Sequence, residues 1–243
     1  MARVTNNVVA GMIGNVVFYS VDGKQYARAR PRKQSKSTRI RKQTPANNLF
    51  GIVSACGSSL IACLTEHLLF SPKLYGWNAL RGWMRNCYAR NHGAQYWPLS
   101  VVESGHCQIN KAVDLRDRFR VPVEVTDSGN GKVEIEIGGV NPAKDISAPS
   151  ATGAVNIKLM LFATAFGTTR SMVKEAVTEY QLPYENKMHP AKKFVLDSGA
   201  SAEEVAIVVI ALEYKMKDAV LMNEYNRIPR HLPAAAIAMG RLQ

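Results

Sequence analysis

The chain has 243 residues, 47% of them hydrophobic, with a formal net charge of +12. This is ample apolar material for one or two compact domains and excludes a chain with no core. Nine positive charges lie between Lys24 and Lys42, which leaves +3 for the rest, so the basic balance belongs to an appendage and not to a basic domain.

The segment from Gly11 to Pro45 comes first in chain order and contrasts most with its surroundings. Asn15 to Ser20 is β-prone, Asp22-Gly23 suits a tight turn, and Gln25 to Arg28 reads as the returning strand of a hairpin. Next comes an extended arm with no apolar periodicity, carrying Lys24, Arg28, Arg30, Arg32, Lys33, Lys36, Arg39, Arg41 and Lys42, with no acid between Asp22 and Glu66. Such a segment buries too little apolar surface to order itself, so an acidic or polyanionic partner is expected. Thr44-Pro45 then opens a helix, whose apolar face repeats through Leu49, Ile52, Val53, Cys56, Leu60, Cys63, Leu64, His67 and Leu68. Ser71-Pro72 opens a second helix through Leu74, Trp77, Leu80, Arg81, Met84 and Tyr88, so an antiparallel helical hairpin is expected over residues 45–88.

Beyond a loop-like stretch at residues 91–98 the period changes. Val121–Thr126 and Lys132–Gly138 alternate around an Asp127–Gly131 turn, which predicts a β-hairpin. Strands are expected at Val155–Phe166, Phe194–Asp197 and Val205–Tyr214, the last apolar enough to be central and fully buried. Residues 170–182 fit either helix or strand, and 232–242 fit a final strand or an apolar tail. The fold class is therefore α+β: a β-hairpin with its arm (1–44), a helical hairpin region (45–110) and a β-sandwich-like domain (111–243).

The motif Gly-Met-Ile-Gly-Asn-Val-Val-Phe-Tyr at residues 11–19, followed by Gly-Lys-Gln-Tyr-Ala-Arg-Ala-Arg-Pro at 23–31, resembles the opening of a family of Bacteroidetes and associated phage proteins. In that family a basic, Thr/Gln-rich arm, a helical hairpin with a Trp-Asn pair (here Trp77-Asn78) and immunoglobulin-like strands follow. The resemblance implies an immunoglobulin-like C-terminal sandwich and a phage-associated setting. The family has no established activity, so it implies no catalytic residues.

Several constellations invite a chemical reading. The arm suits phosphate neutralisation, with Tyr19 and Tyr26 placed to stack on bases. It suits equally an assembly arm threaded over an acidic neighbour, or a solvated linker. Val16, Phe18, Tyr19 and Tyr26 need something to pack on, because a lone hairpin is marginal in water, and a neighbour's sheet edge would serve. Asp127-Ser128-Gly129 and Asp197-Ser198-Gly199 have the local shape of paired aspartic-protease loops, but the first runs into an ordinary hairpin turn and no surrounding repeat supports the pair. Cys56, Cys63, Cys87 and Cys107 include no Cys-x-x-Cys pair and read as reduced core thiols. Trp77, Trp83 and Trp97 could line a ligand groove, but the first two fall on the second helix and read as core anchors. No nucleophile elbow or phosphate-binding glycine loop is present.

The expected role is non-enzymatic: a structural subunit of a larger particle, of phage virion type, whose arm docks on neighbouring subunits or packaged nucleic acid. Partners are then copies of itself or other structural subunits, with no cofactor and no metal. The alternative is a sequence-nonspecific nucleic-acid-binding protein outside any particle. No apolar run approaches the roughly 18–20 residues that span a bilayer, and the N-terminus lacks a secretory signal pattern. The expected place is the virion or the compartment of synthesis.

Overall fold

A computed structural model describes residues 3–5, 8–21, 24–30, 45–72, 76–91, 99–101, 106–165, 172–201, 204–217 and 231–241. The chain divides into two compact units, Met1–Pro45 and Ala46–Gln243.

In the first unit β1 (Arg3–Thr5), β2 (Val8–Ile13), β3 (Val16–Val21) and β4 (Lys24–Ala29) form an antiparallel four-stranded sheet in sequence order. The strand pair expected around residues 15–28 is thus the second half of a longer meander. The β2–β3 turn uses Gly14 at φ 55°, a left-handed conformation that glycine adopts without a Cβ penalty. The Asp22-Gly23 turn and arm positions 31–44 lie outside the described residues.

The second unit is built on two long strands, β9 (Thr152–Thr164) and β12 (Val205–Met216). With β10 (Val173–Pro183), β13 (Ala234–Arg241) and the short β5 (Ser100–Val101) they form an antiparallel sheet in the order β10-β9-β12-β13-β5, and β6 (Cys107–Gln108) also pairs with β13. A smaller antiparallel sheet has the order β11-β8-β7, from Lys192–Asp197, Lys132–Ile137 and Val123–Gly129.

Strand alternation sends successive side chains of β9 and β12 to opposite faces, and both faces are covered. Ile157, Leu159 and Leu161, with Val208, Ile210 and Leu212, pack on Val133, Ile135 and Ile137 of β8 and Leu196 of β11. Met160 and Phe162, with Ile207 and Val209, pack instead on α1 (Pro45–His67) and α2 (Trp77–Asn91) through Val53, Cys56, Leu60, Leu64, Leu80 and Met84. The protein is therefore mixed α+β with antiparallel sheets, and the second unit is layered as helices, large sheet, small sheet. Burial on both faces explains why Val-Ala-Ile-Val-Val-Ile-Ala-Leu at residues 205–212 shows no alternation. Of residues 170–182, which fitted helix or strand, 173–182 fall in the edge strand β10, and 234–241 form β13. Pairing of β12 with β13 shifts between Val208 and Val209, a bulge that turns the adjacent Ile237 and Ala238 toward the same core.

The two helices pack on each other: the Arg81 guanidinium donates to Ser54 Oγ (2.6 Å) and lies 4.6 Å from the Phe50 ring, and a Cβ at Gly57 would lie 3.2 Å from Arg81 Cγ and 3.6 Å from the Trp77 ring. Gly76 leads into α2 where only a glycine fits, since a Cβ there would lie 2.0 Å from the Ile109 carbonyl oxygen. Trp77 and Trp83 are partly buried against the helix-side core. Trp97 lies outside the described residues.

The helical stretch Leu49–His67 is long and apolar enough to cross a membrane by length and composition. Its Ala, Gly, Ser and Cys residues break any continuous run of large side chains while keeping mean hydropathy high. A third of that window is buried in the protein, on the stripe that faces the large sheet.

Because β9 and β12 serve both cores, damage on either side should unfold the second unit as a whole. Leu64→Ala (helix side) and Leu159→Ala (small-sheet side) are each expected to cost about 2–5 kcal/mol. Urea denaturation should show a single transition of the second unit in both variants, with coincident fluorescence and circular dichroism.

Candidate interaction surface of the N-terminal sheet

Register decides which side chains share a face of the first unit's sheet. Val17 lies opposite Arg28 and Tyr19 opposite Tyr26, with Met12 opposite Val17. These residues occupy one face. Val16 opposite Ala29, Phe18 opposite Ala27 and Ile13 opposite Val16 occupy the other.

On the first face the Tyr19 and Tyr26 rings stack, with centroids 5.7 Å apart and planes at 22°. The Arg28 guanidinium lies 5.5 Å from the Tyr19 ring centroid, a cation–π contact at an exposed site. Arg30 continues past the end of β4, its backbone N–H donating to the Asn15 carbonyl (2.6 Å). The second face is uncharged and largely apolar, with Ser20 opposite Gln25 at one end. Ile13 is 57% exposed and Val16 37%; across the sheet Tyr19 is 38% and Tyr26 44% exposed. None of residues 9–19 and 25–30 is buried, and none belongs to either hydrophobic cluster.

The structure therefore brings together Val16, Phe18, Tyr19, Tyr26, Lys24 and Arg28 on two neighbouring strands, with Arg30 just beyond. Arg32, Lys33, Lys36, Arg39, Arg41 and Lys42 lie outside the described residues.

Sequence reasoning missed a polar cluster on the helix-facing side of the large sheet. Lys158, on β9, is buried; its Nζ donates to the His67 carbonyl at the end of α1 (2.9 Å) and to Glu213 Oε1 (2.8 Å), and lies 3.4 Å from Glu179. An ammonium there caps the negative end of the helix dipole. Buried Asn156 donates to Glu179 (2.9 Å), and this hydrogen bond is the foremost reason that the Glu179 carboxyl is held below the usual carboxylate range, with Lys158 adding to it against burial. The one signal in the sequence was Asn156 and Lys158 recurring at a two-residue step inside an otherwise apolar strand. His67 meets Glu175 at 3.2 Å beside Cys63, whose thiol is pushed up first by burial and then by Glu175. Burial likewise raises Cys87 to about 11 and Cys107 to about 12, so these thiols stay protonated and weakly nucleophilic near neutral pH. None of the four cysteines is in a disulfide.

The two Asp-Ser-Gly loops have a local explanation. Asp127 Oδ1 accepts from the Gly129 N–H and Asp197 Oδ1 from the Gly199 N–H, each at 2.9 Å, closing two Asx turns. Gly129, Asn130 and Gly131 all have positive φ, as the tight β7–β8 reversal requires. Asp197 also pairs with Lys132 at 3.7 Å. Among the described residues, no group of three or more His, Cys, Asp or Glu side chains is arranged to hold a metal ion.

No family model, curated protein or solved structure matches the chain.

Lys158→Met should remove the cap and leave Glu213 without its cation; loss of one member of a buried pair costs about 3–5 kcal/mol. Thermal melting checks this, with Glu213→Gln in the Lys158→Met background expected to recover part of the loss. Glu179, with its depressed pKa, contributes stability that is present above the unfolded carboxylate value and lost as pH falls through the lower, folded one. Denaturation midpoints from pH about 6 to about 3 should therefore fall less steeply in Glu179→Gln than in the wild-type chain.

Proposed function

We propose that the protein is a non-enzymatic structural subunit of a larger assembly, docked to its neighbours through the N-terminal sheet and arm. One observation carries this reading: the four-stranded sheet of residues 3–29 has no buried residue among 9–19 and 25–29, yet presents Ile13, Val16 and Phe18 on one uncharged face. A sheet with an apolar face is stable when another layer covers that face. A neighbouring copy supplies the layer. The basic arm beside it adds long-range attraction to an acidic neighbour or to packaged nucleic acid. The phage virion setting rests on the resemblance carried by residues 11–31.

The second unit suits the same role. We read β7 to β13 as an immunoglobulin-like sandwich. In support, the first, second and fifth of these strands make one sheet, and the third, fourth, sixth and seventh make the other. That partition is the seven-strand sandwich pattern with its fourth strand moved to the second sheet. The helical hairpin then covers the outer face of the larger sheet. Such a body is a rigid carrier for a connecting segment.

Light scattering of the full chain and of a chain starting at Ala46 tests the reading. The truncated chain is expected to be monomeric and to keep a cooperative melt, whereas the full chain self-associates. Ile13→Lys with Val16→Lys in the full chain is expected to abolish association, because a buried unpaired ammonium is strongly unfavourable. Equal sizes for truncated and full chains overturn the proposal.

A further inference from the structure

The opposite face of the N-terminal sheet has a different chemistry. β4 alternates Tyr26, Arg28 and, just beyond the strand, Arg30 with Gln25, Ala27 and Ala29, and all six residues are exposed. Tyr19 on the adjacent strand completes a pair of stacked rings, with the Arg28 guanidinium against it. Residues 1–45 contain ten Lys or Arg and a single acid, Asp22. The geometry points to a binding platform for single-stranded nucleic acid: Tyr19 and Tyr26 take unstacked bases, and Arg28 and Arg30 take the flanking phosphates.

Three physical arguments favour this occupant. A surface combining exposed rings with fixed cations and almost no acid is complementary to a polyanion. The partner must also offer flat π-faces, which single strands do and an acidic peptide does not. Exposed rings on neighbouring strands are wasted on a duplex, whose bases are already stacked, so phosphate contacts alone would remain there. The two rings also stabilise their own hairpin as a cross-strand pair, and both tyrosines remain more than a third exposed while doing so. This inference goes beyond the assembly reading and uses the other face of the sheet, so either can fail while the other stands.

The experiment is fluorescence anisotropy of the full chain with labelled oligothymidine of about 20 nucleotides, against a duplex with the same number of phosphates, over a salt series. The single strand should bind more tightly than the duplex. Tyr19→Thr with Tyr26→Thr, which keeps β-propensity, should weaken single-strand binding about tenfold per ring and erase the preference. Tyr19→Phe with Tyr26→Phe keeps the rings and should stay within about twofold, which separates stacking from any loss of fold. Arg28→Gln with Arg30→Gln should reduce the slope of log affinity against log salt by about 1.4 while the preference survives. Equal affinity for single strand and duplex overturns the inference, as does an unchanged preference in the threonine variant. Binding to polyglutamate in place of either nucleic acid assigns the face to an acidic protein and also overturns it.

Discussion

Pairing of β9 with β12 is the interaction on which the second unit depends. Their register runs from Val205 opposite Thr164 to Met216 opposite Thr152, and every large apolar side chain along it serves one of two cores. Remove either covering layer and half of those side chains face water. Helices, central strands and small sheet are consequently a single cooperative body. Short β5 and β6 add to it by pairing with β13, which ties the chain after α2 to the strand near its end.

The N-terminal unit obeys the opposite physics. Its ladder satisfies the backbone, but no side chain among residues 9–19 and 25–30 is buried, and the same strand alternation that fills two cores elsewhere here gives two unlike surfaces. One is uncharged and largely apolar; the other sets the Tyr19 and Tyr26 rings beside the Arg28 guanidinium. On the two proposals above, its two faces would meet two different partners.

Among the described residues of the second unit, several charges are tied down. Lys158 is held between two glutamates and the end of a helix, Lys193 bridges Glu134 and Glu136, and Lys174 meets Glu204. The aspartates of both Asp-Ser-Gly loops accept from their own backbone. Groups committed in this way stabilise loops and helix ends. By contrast Arg30, at the exposed end of β4, makes its described hydrogen bond through its backbone N–H.

The amino-acid sequence by itself determined what local physics controls. The helical stripe from Leu49 to Leu68, the Asp127–Gly131 reversal and the buried run at 205–212 were legible, because periodicity, φ preferences and apolar density are local properties. The concentration of positive charge beside Tyr19 and Tyr26 was legible for the same reason. Tertiary structure alone decided that residues 3–13 extend the hairpin into a four-stranded sheet, since the short run Val8-Val9-Ala10 gains strand character only from a neighbour's ladder. It also decided that residues 173–183 form an edge strand and that Lys158 lies buried against the end of α1. Those outcomes depend on which distant segment covers which face, and long-range packing energies of that kind leave no periodic trace in the segment itself.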